Sequence, residues 1–127
     1  MKRKYHIFIF VLAFLLSVLS PMNVCAEKND TVTVNQLIAT GKEFIASGNY
    51  DTALIYARKA KELSEKIGFK KGEANGYNDM GVVYFYQGNY SDALKNHNAA
   101  LKLRLEIDNK YGIAISYNNL GVLYEYQ

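Results

Sequence analysis

A chain of 127 residues, half of them apolar, is long enough for one folded domain and too apolar for a disordered polypeptide. Its net charge of +3 comes from Lys2, Arg3 and Lys4, because 12 Lys and Arg balance 12 Asp and Glu from Glu27 onward. A region without net charge lacks the clustered cations that bind a phosphate backbone, so the composition argues against nucleic acid as a partner.

The first 26 residues have the pattern of a secretory signal peptide. A positive segment at Lys2–Lys4 precedes an apolar run from Ile7 to Leu19, which at 13 residues is shorter than the roughly 20 needed to span a membrane. Val24-Cys25-Ala26 then supplies the modest side chains of a cleavage site, which predicts a cut between Ala26 and Glu27. We therefore expect an exported protein, periplasmic or secreted, whose mature domain covers residues 27–127.

Cys25 is the single cysteine of the chain, and it has two interpretations. It is either a residue of the discarded signal peptide or a lipid-modified anchor, as in bacterial lipoproteins, that holds the protein on a membrane facing the periplasm. Val24 favours the first, because lipoprotein signals usually have a small residue just before the cysteine. The mature domain then has no thiol for a disulfide or a nucleophile, and contact with a membrane is expected only through an uncleaved or lipidated N-terminus.

The rest of the sequence repeats with a period of 40 residues. Glycines recur at the same place in each unit, and so does a Gly-Asn-Tyr triplet. The matching positions are Gly41, Gly81 and Gly121, and Gly48-Asn49-Tyr50 with Gly88-Asn89-Tyr90. The closest copies are residues 77–84 and 117–124. Repetition at a period of about 20 to 50 residues is typical of proteins that stack one supersecondary unit.

Each unit is predicted to contain two helices. In the second unit, an apolar face with the spacing i, i+3, i+4 and i+7 predicts a helix from about Glu73 to Gln87. That face consists of Tyr77, Met80, Gly81 and Tyr84. A glycine inside a helix costs about 1 kcal/mol of helix propensity relative to alanine, so we expect Gly81 to compensate through close contact with another helix.

The second helix of this unit is predicted to begin at Tyr90. Gly88 ends the preceding helix, Asn89 can cap the new one, and Asp92 follows three residues later, as in a capping box. Its packing face contains Ala93, His97, Ala100 and Ile107. The alanines leave room for the tyrosines of the first helix, and we expect His97 to be a packed, hydrogen-bonded core residue.

These residues resemble the tetratricopeptide repeat, whose pattern is an aromatic residue, Leu-Gly, Tyr, and then alanines in a second helix. The copies are Tyr77-x2-Met80-Gly81-x2-Tyr84, Tyr117-x2-Leu120-Gly121-x2-Tyr124 and, in degenerate form, Leu37-x2-Thr40-Gly41-x2-Phe44 followed by Ala53-x3-Ala57 and Ala60. The resemblance covers about residues 33–127. It implies an all-α fold, a right-handed superhelical array of antiparallel helix hairpins, with repeats at about 34–73 and 74–113 and an incomplete one at 114–127.

The unit departs from the family pattern in two ways. It has 40 residues rather than roughly 34, and the proline that often closes a repeat is missing. The longer unit is similar to those of protein-interaction scaffolds, among them extracytoplasmic regions of bacterial sensor kinases and transcriptional regulators. The resemblance implies a non-catalytic module that binds a protein or peptide and needs no cofactor. The alternative is the N-terminal sensory region of a longer membrane-bound two-component histidine kinase or transcriptional regulator.

Catalysis is disfavoured because the mature part offers one histidine, no cysteine and no glycine-rich phosphate loop. The binding surface is instead predicted on the first helix of each unit, about 120° from its packing face. The predicted groove residues are Asn75, Asn78, Val82, Phe85 and Tyr86 in one unit, and Ile115, Asn118, Val122 and Tyr126 in the next. This stripe predicts an apolar, amide-rich groove rather than a charged clamp.

Two kinds of groove residue keep alternative interpretations. Asn78 and Asn118 recur at one repeat position, which favours a structural role over a ligand contact. Tyr86 and Tyr126 lie off the predicted packing face, either as solvated side chains or as partner contacts. The remaining repeat tyrosines are predicted to pack, and they are Tyr50, Tyr77, Tyr84, Tyr90, Tyr117 and Tyr124.

The sequence stops at Gln127, the counterpart of Gln87, where the period calls for another Gly-Asn-Tyr and a second helix. We therefore expect a longer natural protein and, in this chain, an unpaired last helix. Leu120, Leu123 and Tyr124 are expected to lack the partner helix that their counterparts have. An uncovered apolar helix favours self-association through this end of the array.

Overall fold

The computed structural model describes residues 28–127, which contain five α-helices and no β-strand. The helices are α1 (residues 28–46), α2 (Tyr50–Ile67), α3 (Lys70–Tyr86), α4 (Tyr90–Glu106) and α5 (Lys110–Glu125). The predicted signal peptide, its cleavage site and Cys25 lie outside the described residues. Residues Thr31–Gln127 form one compact unit, in which α2 packs on α3, α3 on α4 and α4 on α5. The predicted all-α array of helix hairpins is confirmed.

Glycine and asparagine set the helix boundaries, as predicted. Gly88 has the left-handed backbone conformation, with φ of 76°, that ends α3. At the start of α4, Oδ1 of Asn89 accepts a hydrogen bond from the backbone N–H of Asp92 (3.2 Å), and the Asp92 carboxylate accepts one from Nδ2 of Asn89 (2.6 Å). Equivalent caps are Asn49 and Asn109. α3 begins three residues earlier than predicted, at Lys70, because the turn that follows α2 contains only two residues.

Small residues let the two helices of a hairpin approach closely. A Cβ atom at Gly81 would lie 2.7 Å from Cε1 of His97 on α4, so a larger residue would collide with the ring. Gly41 packs in the same way on α2, where a Cβ atom would lie 3.3 Å from Cβ of Tyr56. The predicted contact of Gly81 with the following helix is therefore confirmed. The buried alanines at these interfaces are Ala53, Ala57, Ala60, Ala93 and Ala100.

The last helix is covered on one side only. Leu120 and Leu123 lack the following helix that their counterparts have, as expected, but they are buried against the helices that α5 contacts, α4 and α3. Tyr124 lacks that helix as well and is 61% exposed, while Tyr117, which was predicted to pack, is 58% exposed. Their counterparts in α3 are half-buried because α4 follows α3, whereas no helix of the described residues follows α5.

Candidate functional site

An apolar cavity lies between the C-terminal halves of α3 and α5. Its volume is about 140 Å³. The lining residues are Val82, Phe85, Tyr86 and Val122, all predicted for the groove, together with His97 and Asn119. The structure therefore brings four of the predicted residues from two repeat units into one cavity.

A larger, polar cavity of about 450 Å³ lies between the N-terminal halves of the same two helices. Three predicted groove residues line it, and they are Asn75, Asn78 and Ile115. Its charged lining residues are Lys42, Lys71, Asp79 and Arg104. With three cations and one carboxylate, this part of the groove is more charged than the amide-rich surface that the sequence predicts.

One hydrogen bond joins the linings of the two cavities. Nδ2 of Asn119, from the apolar cavity, donates to Oδ1 of Asn78, from the polar cavity, at 3.0 Å. The cavities therefore follow each other along one α3–α5 seam. The remaining two of the nine predicted groove residues are Asn118 and Tyr126. Both are exposed, and neither lines one of the two cavities.

Tyr86 and Tyr126 contact neighbouring rings although both are more than half exposed. Tyr86 stacks on Tyr50, with 5.5 Å between ring centroids and 6° between ring planes. Tyr126 meets Phe85 edge-on at 5.2 Å and Tyr90 at 6.4 Å. Each tyrosine thus packs on the tyrosine that begins the preceding second helix, 36 positions earlier in the sequence. Both side chains are therefore largely exposed, and in addition each makes an aromatic contact with a neighbouring helix.

Arg104 is buried, with 3% of its surface exposed, and it joins α4 to α3 and α5. Its Nη1 atom donates to Oγ of Ser116 (2.8 Å), the carbonyl oxygen of Gly112 (3.1 Å) and Oδ1 of Asn78 (3.3 Å). Its Nη2 atom donates to Oδ1 of Asn75 at 3.2 Å. The Nε atom has no hydrogen-bond partner in the described part of the chain. Two amides predicted as peptide contacts therefore hold a buried cation, which supports the structural interpretation of Asn78.

Asp79 supplies the carboxylate of the polar cavity and is 3% exposed. Burial raises its pKa from 3.8 to about 6, although the charges of Lys42 and Arg104 and a hydrogen bond from Asn78 act in the opposite direction. Between these two pH values the folded protein keeps a proton that the unfolded chain releases. The contribution of Asp79 to stability therefore falls as the pH rises from about 4 to 6.

His97 is packed in the core, as predicted, but its Nδ1 atom has no hydrogen-bond partner within residues 28–127. Burial, with a smaller effect of the Arg104 charge, lowers its pKa from 6.5 to about 4. The unfolded chain binds a proton between these pH values and the folded protein does not, so the contribution of His97 to stability falls as the pH drops from about 6.5 to 4. The ring that lines the apolar cavity is therefore neutral at pH 7.

Like Lys42, Lys71 and Asp79, Arg104 is a residue of this site that the sequence analysis missed. Its repeat counterpart is Ser64, which is buried in α2 and donates a hydrogen bond to the carbonyl oxygen of Ala60 at 2.7 Å. Its acceptor Ser116 also departs from the repeat, because the counterpart is Gly76. An arginine and a serine have thus replaced small residues at two positions that face each other. This paired break in the repetition is the signal that could have identified the site.

The charged groups of the polar cavity are mostly cations, which favour an anionic ligand over a metal ion. Within residues 28–127, no three His, Cys, Asp or Glu side chains are grouped so that they could hold a metal ion. In the same part of the chain, no helix has both the length and the apolar character that crossing a membrane requires.

Comparison with known proteins identifies the repeat. A family model described as tetratricopeptide repeat matches residues 44–106 and, in a second overlapping match, residues 72–127. Among solved structures, the chain is similar to the TPR domain of FLU from Arabidopsis, with a TM-score of 0.57 and 24% sequence identity. That alignment covers 77% of this chain and 86% of the FLU domain, and at this identity it bears on the fold alone. No curated protein matches the sequence.

Proposed function

The chain belongs to the tetratricopeptide repeat family, and from this premise we propose that its groove binds an extended segment of a partner protein without catalysing a reaction. The fold supports a repeat-based scaffold for protein interaction. The observation that carries the proposal is the pair of cavities of opposite character along the α3–α5 seam. The choice of ligand on such a scaffold depends on this surface rather than on the fold.

The two cavities define the chemistry of the bound segment. The apolar cavity, with its valines and aromatic rings, fits one apolar side chain, and the polar cavity, with three cations, fits one acidic side chain. Asn75 and Val82, one from each cavity, are seven positions apart on α3, or about 10 Å at 1.5 Å per residue. A peptide in the polyproline II conformation advances about 9 Å in three residues, and with three residues per turn its positions i and i+3 lie on the same side. We therefore expect an acidic residue and an apolar residue three positions apart.

Selection of phage-displayed random heptapeptides on the full chain tests the proposal. The enriched peptides are expected to carry the acidic and apolar residues at this spacing, and to bind in fluorescence anisotropy titrations. Lys71→Glu is expected to weaken binding through the polar cavity, and Val122→Asp through the apolar cavity, each at least tenfold. Val32→Asp places the same charge on a valine of similar exposure that lines neither cavity, and it is expected to bind like the parent.

The result that would refute the groove is binding that neither Lys71→Glu nor Val122→Asp affects while circular dichroism shows both variants folded. A selection that enriches no peptide would also refute it. Phe85→Ala and Tyr126→Ala extend the test to the aromatic edge of the groove, and charge reversal at the distant Lys66 is expected to change nothing.

We also propose that the module acts outside the cytoplasm, which the signal-peptide pattern of the first 26 residues supports. The alternative proposal is a sensory region of a membrane-bound histidine kinase or transcriptional regulator, which the 40-residue unit supports. Sequencing the coding region beyond Gln127 separates the two. A later membrane span followed by a kinase or DNA-binding domain would favour the alternative, and a stop codon shortly after the repeats would contradict it.

A further inference from the structure

The apolar cavity contains a polar group that no contact of the fold uses. His97 lines this cavity and is 3% exposed, and its ring forms no hydrogen bond within residues 28–127. We propose that the cavity binds a tyrosine side chain of the partner segment, with the phenol hydroxyl hydrogen-bonded to Nε2 of His97. The inference rests on the proposed function, because it identifies the apolar residue that the groove selects.

The size of the apolar cavity fits a single aromatic ring. A cavity of about 150 Å³ with apolar walls accommodates benzene, and the volume here is about 140 Å³. The indole of tryptophan has a second fused ring and is larger than this. Phe85 and Tyr86 line the cavity with aromatic rings, and aromatic pairs are favourable when they meet edge-on or offset. The walls therefore favour a phenylalanine or a tyrosine side chain.

Gly81 determines which nitrogen of His97 is left for a ligand. A Cβ atom at Gly81 would lie 2.8 Å from Nδ1 and 2.7 Å from Cε1, so this edge of the imidazole packs on α3. Nε2 is farther from Gly81 and is the nitrogen that a side chain in the cavity can reach. The ring is neutral at pH 7 because burial lowers its pKa to about 4, so one nitrogen carries a proton and the other a lone pair. A phenol hydroxyl both donates and accepts, and it therefore pairs with Nε2 in either tautomer.

The preceding repeat unit shows that helix packing does not require a histidine at this position. The counterpart of His97 in α2 is Ala57, which is 1% exposed. A buried polar group without a partner costs stability, and an alanine packs the helices without that cost. The histidine therefore has a role in α4 that α2 lacks, and its place in the wall of the cavity makes recognition that role. A phenylalanine ring would fill the cavity but leave Nε2 unpaired, so the cavity selects tyrosine over phenylalanine.

Heptapeptides selected on the full chain measure the contribution of the hydroxyl. Their apolar position is expected to be tyrosine, and one of them is synthesised with a fluorescein label and with either tyrosine or phenylalanine at that position. The phenylalanine peptide is expected to bind at least tenfold more weakly in anisotropy titrations. His97→Leu removes the ring nitrogens and is expected to reduce this affinity ratio to about one. His97→Gln, whose side-chain amide lies as many bonds from Cα as Nε2 does, is expected to restore part of the ratio.

The affinity ratio separates recognition from packing, because a purely structural loss at His97 weakens both peptides equally and leaves the ratio unchanged. An unchanged ratio in His97→Leu would therefore overturn the inference. Equal affinities of the two peptides for the parent, with both lost in Val122→Asp, would also overturn it and leave the groove standing. Binding of both peptides that neither Val122→Asp nor Lys71→Glu affects would instead refute the proposed function.

A measurement on the parent chain covers the case in which circular dichroism shows the His97 variants unfolded. In ¹⁵N NMR spectra, the Nε2 resonance of His97 is expected to shift further with the tyrosine peptide than with the phenylalanine peptide, because only the tyrosine supplies a hydrogen-bonding group. Equal shifts with the two peptides would overturn the inference.

Discussion

Gly81 and Gly121 occupy the same repeat position in opposite surroundings, and replacing each with alanine separates backbone propensity from packing. A Cβ atom at Gly81 would lie 2.7 Å from Cε1 and 2.8 Å from Nδ1 of His97, whose ring is itself buried. At Gly121 the added atom meets nothing within 4 Å. Both variants gain helix propensity, which is about 1 kcal/mol for glycine to alanine. Only Gly81→Ala adds overpacking, which costs about 1–3 kcal/mol.

Gly121→Ala is therefore expected to raise the free energy of unfolding by about 0.4–1 kcal/mol. Gly81→Ala is expected to leave the free energy of unfolding unchanged or to lower it by up to about 2 kcal/mol, because the overpacking offsets the gain in propensity. Urea denaturation of the full chain, followed by circular dichroism at 222 nm, measures both values. Equal stabilisation by the two substitutions would refute the reasoning, because His97 would then not restrict Gly81.

Three further predictions follow from the described contacts and the N-terminal pattern. Asn89→Ala is expected to lower the free energy of unfolding by about 1 kcal/mol in urea, whereas Asn98→Ala, on an exposed position without a capping role, is expected to lower nothing. Between pH 4 and 6 the opposing effects of Asp79 and His97 on stability are expected to cancel in the parent. In Asp79→Asn only the effect of His97 remains, so the stability measured in thermal melts is expected to fall by up to about 1.4 kcal/mol per pH unit as the pH decreases, and a level profile would contradict this. Mass spectrometry of the exported protein is expected to place its N-terminus at Glu27. An acylated Cys25 would identify a lipoprotein instead, and a retained Met1 would contradict processing.

The helix pairs could be predicted because their signals are local. Gly88, Asn89 and Asp92 end one helix and cap the next through bonds that span at most three residues, and the 40-residue period repeats this arrangement. The contact at Gly81 could also be predicted, because a glycine inside a helix needs compensation from outside it. The burial of Leu120 and Leu123 could not, since it depends on which side of α5 meets α4.

The candidate site was harder to predict because its contacts join residues that are far apart in the sequence. Arg104 binds Asn75 and Asn78, which are 29 and 26 positions away. Helical periodicity assigns a residue to a face, but it does not say that two amides on one helix accept hydrogen bonds from a cation on the next. The stripe was therefore identified as one amide-rich groove, whereas the structure divides it between an apolar cavity and a charged one.

The internal repeat provides its own control for separating structure from recognition. Positions where the copies agree, such as Gly41 with Gly81 and Asn49 with Asn89, make the same packing or capping contact in each unit. Several positions where they disagree lie at the cavities. Ser64 and Gly76 of one unit correspond to Arg104 and Ser116 of the next, which form a hydrogen bond at the polar cavity. Lys42 lines the polar cavity, whereas its counterparts in the following units, Val82 and Val122, line the apolar cavity. A scaffold that stacks identical units would present identical surfaces, so specificity for one partner has to come from the positions that break the repetition. Restoring the repetition at Lys42 with Lys42→Val is therefore a change that should alter what the groove selects while leaving the stacking of the helices intact.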